Sequence, residues 1–384
     1  MMDLWLLLLV IISIFIGWGL GRGWPLKKTH STNQSESYSD SYAQGLNYLL
    51  LDDPDNAIKV FTKIIEINPD TIEVHLSLGN LFRSKGEVDR AINVHQTLLA
   101  RADLSRKQRN TAIEELANDY LKAGLLGHAE NLFKELIDLN NHNLAAHGHL
   151  LDLYITEKSW DEAVDSAQIL FDHKHAGSSV SLSQCLCEAA EKAIQKGNQK
   201  KARNNLIKAL EVENNCVRAT LLLIQCHLNS QEQLAAKKLF QRLIIKNPEF
   251  MALYIEPAKQ IFLKGNEPAQ YQALLKQQYI SGPSTSLAVA LLEHYVETNQ
   301  SEKAIEFLTE VLAKTPSFGA YDFALHFRRE DSIPLTDMWK GLSEFLKAMQ
   351  EKKVEFVCTQ CGYESHSIQW HCPSCRSWSS MKSI

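Results

Sequence analysis

The chain has no surplus of positive charge. Lys and Arg number 40 against 45 Asp and Glu, a net charge of −5 over 384 residues. A general nucleic-acid binder needs a basic face to displace counterions, so that class is disfavoured. Glycine and proline are sparse, at 17 and 10, which favours helix. A phosphate-binding loop, a dinucleotide fingerprint and a nucleophile elbow are all missing, and the chain is not expected to be an enzyme. His142, His147, His149, His173 and His175 match no zinc-protease helix, and helix-surface or packing roles are expected of them. No basic residue precedes the apolar run Leu4–Leu20, which follows Met1, Met2 and Asp3, and no small-x-small site follows it. The run therefore lacks the marks of a cleaved signal peptide.

What is present is enough apolar material, 45% of residues, to bury a core. At ~1.5 Å per residue the run Leu4–Leu20 reaches roughly 26 Å, the short limit for crossing a bilayer. Arg22, Lys27 and Lys28 follow it. Positive charge stays on the cytoplasmic side, so an uncleaved single-pass anchor with a cytoplasmic body is expected. Trp5, Trp18 and Trp24 suit the membrane interfaces. Gly17/Gly21 and Gly19/Gly23 have the spacing of a helix-packing face, or reflect the ordinary glycine content of membrane helices. Residues 29–40, polar throughout, read as a flexible tether. The expected organisation is an anchor over 1–21, a linker over 22–37, a helical array over 38–352 and a small metal domain over 354–384.

The middle of the chain repeats. Counting from Tyr38, position 8 is Gly45, position 11 Tyr48, position 20 Ala57, position 24 Phe61 and position 32 Pro69. Further units start at Ile72, Asn110, Leu144, Ser183, Val217, Met251 and Thr285, and five of the seven steps are 34 residues, the others 38 and 39. Position 20 is Ala91, Ala129, Ala163, Ala202, Ala236 and Ala304 in six of them; the unit at Met251 is degenerate and keeps mainly Ala258. His95 is a weak fit at position 24, and Pro248 and Pro316 end two units. Small residues are needed where the two helices of a unit cross, and proline stops the second helix. No such hairpin buries its own core, so the units must stack. The pattern resembles the tetratricopeptide-repeat family over about 38–316. That resemblance implies an all-α right-handed superhelix whose groove binds other proteins. Leu335–Glu351 has helical apolar spacing and is expected to cap the array.

Four of the eight cysteines lie near the C-terminus, as Cys358-x-x-Cys361 and Cys372-x-x-Cys375. Two such pairs ten residues apart point to a tetrathiolate metal site, each pair giving two ligands from one tight turn. Gly362 lets the first turn bend and Pro373 stiffens the second. Zn²⁺ and Fe both accept four thiolates. The strings around both pairs resemble rubredoxin, which favours Fe with Zn as the alternative. Arg376 departs from the glycine usual there, and the interval between the pairs is shorter than rubredoxin's. His371 would compete sterically with Cys372 and is left out of the ligand shell. Cys185, Cys187, Cys216 and Cys226 lie in helical sequence and are expected to be buried apolar thiols.

Anchor, repeats and metal tail together, with Trp370–Ser379 (WHCPSCRSWS), resemble the lipopolysaccharide assembly protein B family of Gram-negative bacteria. The resemblance implies a non-enzymatic adaptor at the inner membrane, with other inner-membrane lipopolysaccharide proteins as further possible partners. It implies control of lipopolysaccharide synthesis through proteolysis of the committed lipid A deacetylase by the membrane AAA zinc protease. It also implies that the four cysteines hold metal and that the tail packs on the repeats. Two other readings compete. One is electron transfer through an iron site. The other is nucleic-acid binding by the tail, where Phe356, Tyr363, Trp370 and Trp378 offer stacking surfaces; yet Arg376 and Lys382 are the only basic residues from Cys358 onward.

Overall fold

The computed structural model describes residues 12–14, 18, 31–51, 53–67, 71–140, 143–314, 317–327 and 354–383. Most of Leu4–Leu20, together with Pro69, Pro316 and the stretch Leu335–Glu351, lies outside the described residues. Among the described residues no helix is long and apolar enough to cross a membrane. The chain divides into two compact units, 1–141 and 142–384.

The first unit is built of helices paired in sequence: α1 (Ser31–Leu50) with α2 (Pro54–Ile67), α3 (Ile72–Ser84) with α4 (Val88–Leu99), and α5 (Arg106–Lys122) with α6 (Leu126–Leu139). The second pairs α7 (Leu144–Glu157) with α8 (Trp160–Asp172), α9 (Ser178–Gln195) with α10 (Gln199–Val212), and α11 (Val217–Asn229) with α12 (Gln233–Lys246). It continues with α13 (Met251–Lys264) and α14 (Pro268–Ser281), α15 (Thr285–Glu297) and α16 (Ser301–Lys314), and α17 (Phe318–Phe327).

The repeat phase has a local cause in each hairpin. Five of the eight expected starts, Ile72, Leu144, Val217, Met251 and Thr285, are the first residues of α3, α7, α11, α13 and α15. The two long steps are absorbed by long first helices, 17 residues in α5 and 18 in α9. A capping box of Ser105 and Gln108 fixes the early start of α5. The alanines at position 20 are each the fourth residue of a second helix, and all are at most 1% exposed. Opposite them, a methyl group on Gly45 would collide with the Phe61 ring, and one on Gly79 with the His95 imidazole. The residue at position 15 has a left-handed backbone: Gly86, Gly124, Lys158, Gly197, Gln231 and Asn299. It reverses the chain between the two helices.

Two expectations change. The helix α1 begins at Ser31, inside the stretch expected to be a tether. No glycine or proline interrupts the sequence between Ser31 and Gly45, so a helix anchored by packing at Tyr42 and Phe61, ring centroids 5.8 Å apart, extends backward. The unit at Met251 is a full hairpin with one extra residue. Its left-handed residue is Asn266, one place late, and the fourth residue of α14 is Tyr271, 2% exposed, where the other units have alanine. Pro257 lies inside α13.

His95, the weak fit at position 24, is fully buried, and its Nδ1 lies 2.5 Å from Oδ2 of the equally buried Asp119. Arg83 donates to Asp119 at 2.8 Å and to Glu115 at 2.6 Å. A polar chain thus stands where other units have an aromatic or aliphatic contact, and its charges are paired, as burial requires.

In the second unit the first helices of successive hairpins touch, α9 against α11, α11 against α13 and α13 against α15. They line one face, and the second helices line the other.

Candidate metal centre and its seat

The tail is a three-stranded antiparallel sheet in the order β2 (Glu364–Ser365), β1 (Phe356–Cys358), β3 (Met381–Ser383). Phe356 pairs with Ser365 on one side and Ser383 on the other. Two turns hang from this frame with one hydrogen-bond scheme. In the first, Cys358 N–H donates to Tyr363 O at 2.8 Å and Gly362 N–H to Cys358 O at 2.9 Å. In the second, Cys372 N–H donates to Ser377 O and Arg376 N–H to Cys372 O, both at 2.9 Å. Gly362 and Arg376 occupy the same left-handed position, φ 75° and 58°. Arg376 therefore carries a strain of ~1–2 kcal/mol that glycine avoids.

The four sequence-predicted ligands come together. All four sulfurs lie within 4.8 Å of one another, with Cys358–Cys375 and Cys361–Cys372 at 3.7 Å. A tetrahedral tetrathiolate site with metal–sulfur bonds of ~2.3 Å has sulfur–sulfur edges of about 3.8 Å. The donor set and its spacing fit one metal ion. Cys358 and Cys372 are buried while Cys361 and Cys375 are exposed. A hydrogen bond from the Ser380 hydroxyl, with backbone N–H groups of Cys361 and Gln360, draws the Cys358 thiol down to about 6. Ser377 holds Cys375 low, while burial pushes Cys372 up to about 11. His371 stacks on Trp378 at 4.3 Å, away from any ligand role.

The ribbon sits on the first-helix face of its own unit. Gln184 of α9, 1% exposed, donates from Nε2 to Ser379 Oγ at 3.0 Å. Leu253 of α13 packs on the ribbon core of Phe356, Cys358, Cys372 and Met381. Trp370 packs against the apolar cluster that runs from Val217 to Ala304. Desolvation pushes the Asp152 carboxyl of α7 up, and the Arg376 guanidinium of the ribbon is among the groups that offset this. Behind the seam, Arg218 of α11, 4% exposed, donates to Gln184 Oε1 at 3.3 Å, Glu188 at 2.9 Å and Glu191 at 2.8 Å. Gln184 is thus held on one side by the repeats and holds the ribbon on the other.

Sequence reasoning missed Gln184, Arg218 and Leu253, and offered Trp370 as a base-stacking surface where it packs on the repeats. The available signal was a glutamine and an arginine set in the apolar helices SLSQCLC and VRATLLLI. The remaining cysteines are all buried. Burial pushes Cys185 up to about 12. Cys216, at the N-terminus of α11, is instead drawn down by the Cys187 thiol that donates to it.

Stacked two-helix units bearing a four-cysteine ribbon define a tetratricopeptide-repeat protein with a rubredoxin-type metal module. Tetratricopeptide repeat models match residues 41–71 and 74–109, and the model described as the rubredoxin metal binding domain matches 356–383. The chain is 31% identical over 401 residues to the Lipopolysaccharide assembly protein B of Haemophilus influenzae, covering 100% of this chain and 98% of that one. It is 28% identical over 386 residues to the protein of that name from Escherichia coli strain K12, again covering 100% and 98%. Among solved structures it is similar to the C-terminal part of a TPR repeat-containing protein from Cytophaga hutchinsonii, at TM-score 0.40 and 14% identity, covering 70% of this chain and 99% of that one. The chain belongs to the lipopolysaccharide assembly protein B family.

Proposed function

We propose that this protein is a non-enzymatic adaptor of lipopolysaccharide synthesis, anchored in the bacterial inner membrane by Leu4–Leu20 with its body in the cytoplasm. It binds protein clients through its repeats and promotes proteolysis of the committed lipid A deacetylase by the membrane AAA zinc protease. The observation that carries the adaptor reading is an array of stacked hairpins with a metal ribbon seated on it, matched along its length by two proteins named for lipopolysaccharide assembly. Fold alone assigns no client. Cys358, Cys361, Cys372 and Cys375 would hold one iron ion, with zinc as the alternative, and the ion's contribution is to fold the ribbon.

The test is a version starting at residue 29, compared with the full chain at native expression. It is expected to keep its metal and bind its client while failing to lower deacetylase levels, because the anchor acts by raising local concentration. Full function of the soluble version would overturn the placement mechanism. Elemental analysis of freshly purified protein decides iron against zinc. A second reading, electron transfer, draws on the exposure of Cys361 and Cys375. It requires a reversible one-electron couple, and a redox-silent site removes it.

A further inference from the structure

The outer face of the second unit carries charge in blocks. On α8 the exposed ionisable side chains are Asp161, Glu162, Asp165 and Asp172, with no cation. On α10 they are Lys200, Lys201 and Lys208 with Glu211, and on α12 Lys238, Arg242 and Lys246 with no acid. In a chain of net charge −5, two successive second helices have reversed the overall sign.

Few of these cations are paired. Lys201 pairs with Asp161 at 2.7 Å, Arg203 with Glu232 at 2.9 Å, and Lys237 with Glu267. Lys200, Lys208, Lys238 and Arg242 form no ion pair among the described residues. Large apolar side chains stand among them, with Ile207 47%, Leu234 68% and Ile245 81% exposed.

The arrangement is ordered by the repeat. Counted from the unit starts at Ser183 and Val217, positions 18, 22, 26 and 29 are Lys200, Asn204, Lys208 and Glu211 on α10, and Leu234, Lys238, Arg242 and Ile245 on α12. Residues three and four apart share one helix face. Each helix therefore shows one outward stripe, and the stripes occupy equivalent places in adjacent hairpins. On α10 the stripe borders an open depression of about 550 Å³ that Asn198 and Asn205 also line. From Leu234 to Ile245 the α12 stripe runs about 17 Å, roughly three helical turns.

We propose that the outward faces of α10 and α12 dock an acidic amphipathic helix of a partner protein, its carboxylates meeting Lys208, Lys238 and Arg242 and its aliphatic side chains covering Ile207, Leu234 and Ile245. Charge complementarity selects an acidic partner. The neighbouring helix selects a discrete segment over an anionic bilayer. The Lys201–Asp161 pair holds α8 beside α10, so an extended anionic surface laid on α10 would also meet the four carboxylates of α8. A helix of about three turns stays over the basic pair alone. The proposal stands independently of the lipopolysaccharide reading.

The test uses the full chain in non-ionic detergent and fluorescein-labelled synthetic 16-residue helices carrying a glutamate stripe flanked by leucines. Anisotropy is expected to show saturable binding that weakens as salt is raised. The doubly reversed variant Lys208→Glu/Arg242→Glu, both exposed positions, should bind about tenfold or more weakly. A peptide with lysines in place of the glutamates should bind that variant and recover the loss. Absence of saturable binding overturns the proposal, as does equal affinity for the reversed variant. Displacement of the peptide by mixed micelles containing phosphatidylglycerol, dependent on Lys208 and Arg242, would assign the face to lipid headgroups and overturn it too.

Discussion

Gln184→Ala should loosen the ribbon without touching a ligand. The substitution removes the 3.0 Å hydrogen bond to Ser379 and the 3.3 Å bond that Arg218 donates. Arg218 keeps Glu188 and Glu191, and the 3.5 Å donation from Gln184 Nε2 to Cys216 Sγ goes as well, so the loss is shared between the seam and the repeat beneath it. Ser379 is exposed and can turn to water, so the loss is that of a net hydrogen bond, about 0.5–1.5 kcal/mol. Two ligands, Cys361 and Cys375, are exposed, whereas Cys358 is 2% and Cys372 0% exposed. A chelator can remove the metal only after the ribbon opens enough to uncover the second pair. If lifting from the seat limits that opening, release should accelerate about twofold to tenfold, at 1.4 kcal/mol per tenfold. The assay is metal transfer to a colorimetric chelator from full-length protein, with metal content measured beforehand. That content should equal the parent's, because all four thiols remain. An unchanged release rate at equal loading would show that the seat does not govern access and would refute the reasoning.

Cys372→Ser should lose the metal and expose the tail to protease, since strands of three, two and three residues have little core without it; metal retention at parental stoichiometry counts against the tetrathiolate assignment. Gly79→Ala should destabilise the first unit by about 2 kcal/mol, overpacking against His95 outweighing the gain in helix propensity; a raised denaturation midpoint contradicts this. Burial holds His294 and His147 below the ordinary imidazole range. A depressed histidine value stabilises the fold above the unfolded value of about 6.5, and this stability is lost as pH falls from there toward the folded value. The second unit's melting temperature should therefore drop below about pH 6.5, and less steeply in His294→Phe; identical slopes remove the explanation. Arg376→Gly should relieve a left-handed backbone, slowing metal release by up to about tenfold if the lost charge near Asp152 matters less than the ~1–2 kcal/mol of strain; faster release shows that the charge contact dominates.

The repeat was legible because its signal is a size limit at a crossing. Ala57 and its equivalents have no room for a larger group, so the period survives in a single sequence. The four ligands were legible because two turns of fixed geometry need fixed spacing. Less visible were features made by partners distant in sequence. His95 read as a poor apolar residue because Asp119, its partner, lies 24 residues on. Gln184 was hidden because its partner Ser379 is 195 residues away. The unit at Met251 looked degenerate because one extra residue moves every later position, so that Tyr271 rather than Gln270 is buried. Polar composition suggested a tether over 29–40, although Ser31 onward has no helix breaker and a packed helix to extend.

The ribbon changes what the repeats can offer a client. A groove that binds other proteins was expected of the repeats. In the second unit, α9 and α13 give side chains to the ribbon: Gln184 to Ser379 and Leu253 to its core. A client meeting this face meets the ribbon first. The ribbon's own apolar centre is four residues, Phe356, Cys358, Cys372 and Met381, and two of these are metal ligands. Its fold therefore depends on the ion more than on packing. It follows that the metal has a second effect beyond the ribbon itself. By keeping the ribbon folded it keeps Leu253 covered and Gln184 satisfied, and so fixes which surface of the second unit faces solvent. The four thiolates thereby act on the surface of the second unit through the fold of the ribbon.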